Sequence, residues 1–187
     1  MQHPLHLFRY CPKCGSDKFT ENDFKSKRCG ECGFTYYFNP LAATVGIITN
    51  GKGEILVARR AKEPAKGTLD LPGGFCDSYE TAEEGITREI EEETGLKGLI
   101  LGKFIRVTDH PDFRNDQWHL KHTWWYSMTC QNDQETVPQT EEGITEIRWV
   151  EKSDLKELLQ QTYPTIVEVF RSMGLSEKFL PSVKQNL

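Results

Sequence analysis

The sequence predicts a mixed α/β sandwich preceded by a small cysteine-rich module. One stretch, Thr81–Thr94, has the pattern of a capped amphipathic helix, and strand-like segments flank it on both sides. Four of the six cysteines are crowded into residues 11–32. The 187 residues leave room for one full globular domain and a small appended module.

Before the helix, a β-hairpin and a short strand are predicted. Leu41–Thr49 is rich in small, β-branched and apolar residues, Asn50–Gly53 is a turn signal, and Glu54–Arg60 is the returning strand. A short strand, Leu69–Leu71, then runs into Pro72-Gly73-Gly74. Because glycine has no side chain, the backbone there can approach a ligand or an ion closely.

The helix itself has clear start and stop signals. Thr81 and Glu84 have the spacing of a capping box, and Gly95 follows the last turn. The apolar residues of the helix are spaced four apart and form one stripe, Ala82, Ile86 and Ile90. We expect this stripe to anchor the helix to the core.

Three strands and two helices are predicted after the central helix. The strands are Gly98–Thr108, Lys121–Gln131 and Glu146–Val150, and the helices are Ser153–Gln160 and Pro164–Met173. The hydrophilic stretch Asp109–Gln117, which contains Pro111, is expected to be a loop.

The composition excludes several classes of protein. The net charge of −5 argues against a general polyanion-binding protein, so no nucleic-acid partner is expected. No apolar run is long enough to span a bilayer, and the first ten residues lack the pattern of a secretory signal. The cysteines are clustered in one segment, which indicates metal binding in a reducing, cytoplasmic setting.

The clustered cysteines form two C-x2-C pairs separated by fourteen residues. The pairs are Cys11 with Cys14 and Cys29 with Cys32. This spacing predicts a tetrahedral site for a structural Zn²⁺, closed to water and substrate because all four ligands are sulfur. Three roles of the module remain open from the sequence: binding nucleic acid, forming a homodimer, or bracing the next domain.

Three glutamates share one face of the central helix. Glu89, Glu92 and Glu93 stand at positions i, i+3 and i+4. Because like charges repel, we expect a cation among them, and carboxylate oxygens favour Mg²⁺ or Mn²⁺. Arg88 lies four residues before Glu92 and can neutralise part of the charge.

The complete pattern is Gly74-x5-Glu80-x7-Arg88-Glu89-Ile90-x-Glu92-Glu93-x-Gly95-Leu96. It resembles the box of the Nudix hydrolase family at every fixed position. The resemblance implies a Nudix-type α/β/α sandwich with a mixed sheet, and the cysteine module resembles the zinc ribbon of the NADH pyrophosphatase group. We expect a zinc ribbon over residues 1–40, a Nudix hydrolase domain over 41–175 and a C-terminal tail over 176–187.

The resemblance also implies roles for individual residues. The family's metal ligands correspond here to Glu89, Glu92, Glu93 and the carbonyl of Gly73. Glu80 would be an outer carboxylate paired with Arg88. The general base would be either Glu89 or a glutamate from a loop outside the box, for which the candidates are Glu141, Glu142 and Glu146.

The implied reaction is metal-dependent hydrolysis of a nucleoside diphosphate linked to a further group. FAD, ADP-ribose and NADH are the candidate substrates. Thr108–Phe113 stands where the NADH pyrophosphatase group has a Ser-Gln-Pro-Trp-Pro-Phe-Pro-type motif, which counts against NADH. Phe113 or Trp118 would stack on the base. The alternatives are a pyrophosphatase that removes damaged nucleoside triphosphates and a nucleotide-sensing or RNA-binding Nudix protein.

Overall fold

The computed structural model describes residues 2–61, 66–114, 117–131, 134–175, 178 and 180, without the side chains of residues 114, 142, 157, 158 and 161. The side chain of Glu142, a predicted candidate base, therefore lies outside the described part of the structure. Most of the predicted tail, 176–187, also lies outside the described residues. The chain divides into two compact units. Unit 1 comprises Met1–Leu41 and Pro111–Lys121, and unit 2 comprises Ala42–His110 and His122–Leu187.

Unit 1 contains a three-stranded antiparallel sheet that the sequence did not reveal. Its strands, in spatial order, are β1 (Phe19–Asp23), β2 (Ser26–Cys29) and β3 (Thr35–Tyr37). The hydrophobic core of this sheet is small and consists of Cys11, Phe19 and Cys29 with Phe34 against them. A core of this size supplies little stability by itself, which is the usual situation of a metal-stabilised module.

Unit 2 is built around a six-stranded mixed sheet. Its strands are β4 (Leu41–Thr49), β5 (Ile55–Arg60), β6 (Leu69–Asp70), β7 (Ile100–Arg114), β8 (Gln117–Thr129) and β9 (Ile144–Val150). The spatial order is β6-β5-β4-β8-β7, and β9 pairs with β5. The tip of the β7–β8 hairpin, residues 111–121, is counted with unit 1.

Helices cover both faces of this sheet. The helices are α1 (Ala82–Thr94), α2 (Leu155–Leu158) and α3 (Pro164–Ser172). Leu56 belongs to the core cluster that contains the α1 residues Ile86 and Ile90, whereas the adjacent Val57 belongs to the cluster that contains Phe170 of α3. Because neighbouring strand residues point to opposite faces, α1 and α3 lie on opposite sides of β5, which confirms the predicted α/β/α sandwich.

The prediction of a loop at Asp109–Gln117 is wrong, because β7 continues to Arg114 and β8 already begins at Gln117. Asp109 is paired with His122 across the hairpin, with 2.6 Å between Oδ1 and Nδ1. Pro111 is tolerated because β7 is the last strand at one end of the described sheet order, and an edge strand leaves one side of its backbone unpaired. None of the described helices is both long and apolar enough to cross a membrane.

Candidate functional site

Capping interactions define both ends of helix α1. The Thr81 side chain accepts a hydrogen bond from the Glu84 N–H at 3.2 Å, and the Glu84 carboxylate accepts one from the Thr81 N–H at 2.8 Å. This capping box confirms the predicted start, and such caps stabilise a helix by about 1 kcal/mol. At the other end Gly95 adopts a left-handed conformation with φ of 72°, and its N–H donates to the Glu91 carbonyl.

The buried side of α1 lies directly on strand β4. Ile86 and Ile90 are fully buried, as the predicted apolar stripe requires. A Cβ atom at Gly46 of β4 would lie 2.5 Å from Cδ1 of Ile90, so a larger residue there would displace the buried Ile90 side chain. This packing fixes the position of α1 on the sheet and with it the position of the glutamates on the helix.

The loop that precedes α1 is bonded to the same strand. The carbonyls of Pro72 and Gly74 accept hydrogen bonds from the N–H groups of Gly46 (3.0 Å) and Thr44 (2.8 Å). Between them Gly73 has φ of 152°, and a Cβ there would lie 2.2 Å from the Thr44 carbonyl oxygen. The loop backbone is therefore held against β4 in a conformation that only glycine can adopt here.

This loop and the end of α1 meet at the carboxylate of Glu93. The Gly73 N–H donates to Glu93 Oε2 at 2.8 Å. None of the described residues donates a hydrogen bond to the Gly73 carbonyl, whereas both neighbouring carbonyls are bonded to β4. The geometry thus leaves an uncommitted carbonyl oxygen in the residue whose N–H binds Glu93.

Arg88 connects three of the carboxylates. Its Nη1 donates to Glu89 Oε1 at 3.0 Å and to Glu92 Oε2 at 2.9 Å. Its Nε and Nη2 donate to the two oxygens of Glu80 at 3.1 and 2.6 Å, and Nη2 also donates to the Phe75 carbonyl at 3.0 Å. The hydrogen bonds with Glu80 are the main cause of the raised pKa of Arg88 and the lowered pKa of Glu80.

The cluster carries more negative than positive charge. Three carboxylates, those of Glu80, Glu89 and Glu92, share the guanidinium of Arg88, and a fourth, that of Glu93, accepts a hydrogen bond from the Gly73 N–H. Glu89 is only 12% exposed, so its charge is poorly screened by water. Carboxylate and carbonyl oxygens are hard ligands, and this set suits a divalent cation such as Mg²⁺ or Mn²⁺.

The three predicted loop glutamates have different surroundings. Glu146 lies on β9 and pairs with Arg59, with 2.7 Å between Oε2 and Nε, and this hydrogen bond lowers the pKa of Glu146. Glu141 is exposed in a short 3-10 turn, Thr140–Glu142. The same loop reaches the end of α1, because the Gln139 N–H donates to the Glu93 carbonyl at 3.3 Å.

One residue near the helix was not singled out by sequence reasoning. Tyr126 of β8, read only as a buried strand residue, donates its hydroxyl proton to Glu83 Oε1 at 2.8 Å and so ties the first turn of α1 to the sheet. No local signal connects two residues 43 positions apart.

Cys76 is a poor nucleophile, because burial and the nearby Glu80 carboxylate raise its pKa.

In unit 1 the four predicted cysteines converge. Their Sγ atoms all lie within 4.8 Å of one another, with 3.7 Å between Cys11 and Cys32 and 3.6 Å between Cys14 and Cys29. Tetrahedral zinc with Zn–S bonds of about 2.3 Å requires sulfur separations of about 3.8 Å. The Cys32 N–H lowers the pKa of Cys29 to about 6, whereas hydrogen bonding among the clustered thiols raises the pKa of Cys14 to about 12, so the convergence of the four sulfur atoms is what supports a metal site.

The two predicted stacking residues form a pair at the tip of the β7–β8 hairpin. The rings of Phe113 and Trp118 lie 5.1 Å apart between centroids, at an angle of 52°. Both side chains remain accessible, with 54% and 64% of their surface exposed. They belong to unit 1, whereas the glutamates of α1 belong to unit 2.

Residues 39–171 match the family model described as the NUDIX domain. This span is well over half of the chain and contains the glycine loop, α1 and its glutamates, so the chain belongs to the Nudix family.

Two curated relatives differ in the extent of their similarity. The chain is 46% identical to the ADP-ribose pyrophosphatase of Methanocaldococcus jannaschii over 87 residues, covering 46% of this chain and 50% of that protein. It is 27% identical to the NAD-capped RNA hydrolase NudC of Stutzerimonas stutzeri over 180 residues, covering 92% of this chain and 60% of that protein. This chain therefore spans less than two thirds of either relative.

Solved structures agree on the fold. The MutT protein from Methanosarcina mazei Go1 has a TM-score of 0.57 at 22% identity, covering 74% of this chain and 96% of that chain. The NUDIX domain of Shewanella oneidensis NrtR, solved with ADP ribose, has a TM-score of 0.56 at 17% identity, covering 92% and 99%.

Proposed function

We propose that this chain is a metal-dependent pyrophosphohydrolase that cleaves the diphosphate of an ADP-containing dinucleotide or nucleotide sugar. The observation that carries the proposal is the convergence of all the box carboxylates on Arg88 and on the glycine loop. ADP-ribose is the first substrate to test, because a relative 46% identical over part of the chain is named for it. FAD and NADH are the further candidates.

Glu89, Glu92, Glu93 and the Gly73 carbonyl are the proposed ligands of Mg²⁺ or Mn²⁺. A divalent ion bound there would neutralise the diphosphate and make water a better nucleophile. The protein's own contribution is the positioning of the ligands. Gly73 holds Glu93 through its N–H, and Arg88 holds Glu89 and Glu92 through one guanidinium nitrogen.

The proposed general base is Glu89 or a glutamate of the 140–146 region. Among the latter, Glu146 is the weakest candidate, because its ion pair with Arg59 lowers its pKa and makes it a poorer proton acceptor. Glu141 and Glu142 belong to the turn whose preceding residue, Gln139, bonds the end of α1. Single Gln variants of Glu89, Glu141 and Glu142, compared by their pH–rate profiles, distinguish these candidates.

Unit 1 is proposed to hold one structural Zn²⁺ through Cys11, Cys14, Cys29 and Cys32. The separations between the four sulfur atoms support this role. We further propose that Phe113 and Trp118 stack on a base. The proposed location is the reducing cytoplasm, where these thiols stay reduced. Formation of a homodimer is a further proposal.

The decisive experiment is a substrate panel with product identification. ADP-ribose, FAD, NADH and nucleoside triphosphates are incubated with enzyme and either Mg²⁺ or Mn²⁺. We expect AMP as a product from ADP-ribose, and Glu93→Gln as a matched control should remove this activity. Release of pyrophosphate from triphosphates without cleavage of any dinucleotide would overturn the proposal in favour of the triphosphate pyrophosphatase.

Two other candidate functions have specific support. Hydrolysis of a nucleotide cap on RNA is favoured by the match to NudC, which extends over 92% of this chain. A nucleotide-sensing role without hydrolysis is suggested by the fold similarity to the NUDIX domain of NrtR, which was solved with ADP ribose. Binding of ADP-ribose without turnover in the substrate panel would select the sensing role.

A further inference from the structure

The last turn of α1 has an unfavourable distribution of charge. It contains Glu91, Glu92 and Glu93 and no basic residue. Because the C-terminal end of a helix is the negative end of its dipole, carboxylates there destabilise the helix, and like charges in one turn also repel. Arg88 reaches only Glu92 among these three. The turn therefore needs support from outside the helix, and residues 134–139, which we call the support segment, provide it.

The support segment donates hydrogen bonds to the end of α1. The Val137 N–H donates to the Thr94 carbonyl at 2.8 Å, and the Gln139 N–H donates to the Glu93 carbonyl at 3.3 Å. The last four carbonyls of a helix have no partners within the helix, so donors from another segment stabilise its last turn. The Val137 side chain also lies against the end of the helix, because its Cβ is 3.4 Å from the Cβ position of Gly95.

Gln134 anchors the support segment through its side-chain amide. Its Oε1 accepts a hydrogen bond from the Lys97 N–H at 3.0 Å, and its Nε2 donates to the Lys97 carbonyl at 2.8 Å. Its Nε2 also donates to Sγ of Cys130 at 3.8 Å. Cys130 is buried directly after the end of β8, and Lys97 follows the Gly95 cap by two residues. One side chain thus fixes the segment both to the chain that leaves α1 and to the sheet.

We propose that Gln134 is a positioning residue for the metal site. By fixing the support segment, it keeps the last turn of α1 helical before a metal ion binds, and so keeps Glu92 and Glu93 in place beside Glu89. Without this anchor the acidic turn should fray. A divalent ion would then bind only the fraction of molecules in which the turn is helical, and its apparent affinity would fall. The inference rests on the metal ligands proposed above, but not on the identity of the substrate or on hydrolysis.

Gln134→Met is the substitution that tests this role. Methionine is unbranched and similar in length to glutamine, but it cannot make the two hydrogen bonds with the Lys97 backbone. Both hydrogen bonds lie in an exposed environment, so the variant should fold, which circular dichroism and Tm verify. Gln131→Met is the matched control. Gln131 is an exposed glutamine before the support segment, and its side chain has no hydrogen bond to any residue that the structure describes.

Amide hydrogen exchange measured by NMR reports on the last turn without any activity. The zinc-loaded protein is used with no other divalent ion. In Gln134→Met we expect the N–H groups of Gly95 and Val137 to exchange about fivefold faster, which is the effect of one net hydrogen bond on a local opening equilibrium. The Gly85 N–H, which donates to the Thr81 carbonyl at 2.9 Å at the start of α1, is the internal reference and should be unchanged.

Binding of Mn²⁺, followed by electron paramagnetic resonance, reports on the metal site itself. We expect the dissociation constant to rise about threefold in Gln134→Met, less than the change in exchange because binding senses only the frayed fraction of molecules. In an assay with ADP-ribose, the half-saturating Mg²⁺ concentration should rise similarly, whereas kcat at saturating Mg²⁺ stays near the wild-type value. A purely structural role would lower Tm without this separation, because excess metal would not restore the rate.

The possible outcomes separate this inference from the proposed function. Equal acceleration of exchange at Gly85, Gly95 and Val137 would indicate global destabilisation and overturn the inference, as would an unchanged Mn²⁺ affinity in Gln134→Met. Equal effects in Gln131→Met would also overturn it. If exchange and Mn²⁺ affinity change as expected but the wild type cleaves no dinucleotide, the inference stands and the proposed hydrolase fails. Hydrolysis by both proteins with the same Mg²⁺ dependence would refute the role of Gln134 alone.

Discussion

Replacing Gly74 with alanine should damage the site while leaving the fold intact. A Cβ at this position would lie 2.1 Å from Glu89 Oε2 and 2.3 Å from Glu89 Cδ. Ordinary contacts begin at 3.4 Å, so the carboxylate oxygen must move by about 1.3 Å, the difference between these two distances. The obstructing atoms are the end of a flexible side chain, which can move without disturbing the backbone.

The size of the expected effect follows from that displacement. A shift of about 1 Å in a positioned group typically costs on the order of 100-fold in rate. Gly74 does not have a left-handed φ, so alanine introduces no backbone strain there. We therefore expect kcat/KM for ADP-ribose to fall about 100-fold, with a shifted Mg²⁺ dependence, while Tm changes by only a few degrees.

Two other glycines provide matched controls. Gly51→Ala should behave like the wild type, because nothing lies within 4 Å of its Cβ position and its φ is not left-handed. Gly73→Ala should unfold more easily, because its Cβ would lie 2.2 Å from the Thr44 carbonyl oxygen and 2.7 Å from the Val45 Cα, and neither backbone atom can yield cheaply.

The assays are AMP release from ADP-ribose over a Mg²⁺ titration and thermal melting of the same preparations. Near-normal kcat/KM in Gly74→Ala would show that the position of Glu89 is unimportant for the reaction. A large loss of stability would show that the Glu89 carboxylate cannot yield as argued. Either result refutes the reasoning from the close contact.

Three further predictions concern the carboxylates and the cysteines. Glu93→Gln should stay folded and lose at least about 100-fold in kcat/KM, with partial rescue at higher Mg²⁺, because a charge among the proposed metal ligands is removed; metal-independent activity would contradict this. Arg88 lowers the pKa of Glu80 below its ordinary value of 4.5, so the Glu80 contribution to stability is present above that pH and is lost as the pH falls below it. Melting curves should therefore show a weaker acid-side loss of Tm in Glu80→Gln than in the wild type, and parallel losses would refute the assignment. Cys11→Ser and Cys29→Ser should each reduce bound zinc and destabilise unit 1, since metal binding supplies on the order of 10 kcal/mol to such modules; unchanged metal content would refute the site.

The features that sequence alone determined are those with local geometry. Residues at i, i+3 and i+4 share a helix face in any α-helix, so the grouping of Glu89, Glu92 and Glu93 follows from spacing. Two C-x2-C pairs similarly define a four-sulfur site, and the capping box at Thr81 sets the start of α1 within one turn. The strand β4 was predicted from its β-branched composition with its observed bounds.

The tertiary structure alone decided which distant groups meet. Gly73 and Glu93 are 20 residues apart, and Tyr126 and Glu83 are 43 apart, so their contacts depend on how the loop, the helix and the sheet pack. Both strands of the β7–β8 hairpin were predicted, but their extension through the expected loop Asp109–Gln117 was missed, because cross-strand pairing and an edge position outweigh the local breaking tendency of Pro111. Spacing along the chain determines neighbours within one element, whereas contacts between elements depend on register and packing, which no local pattern encodes.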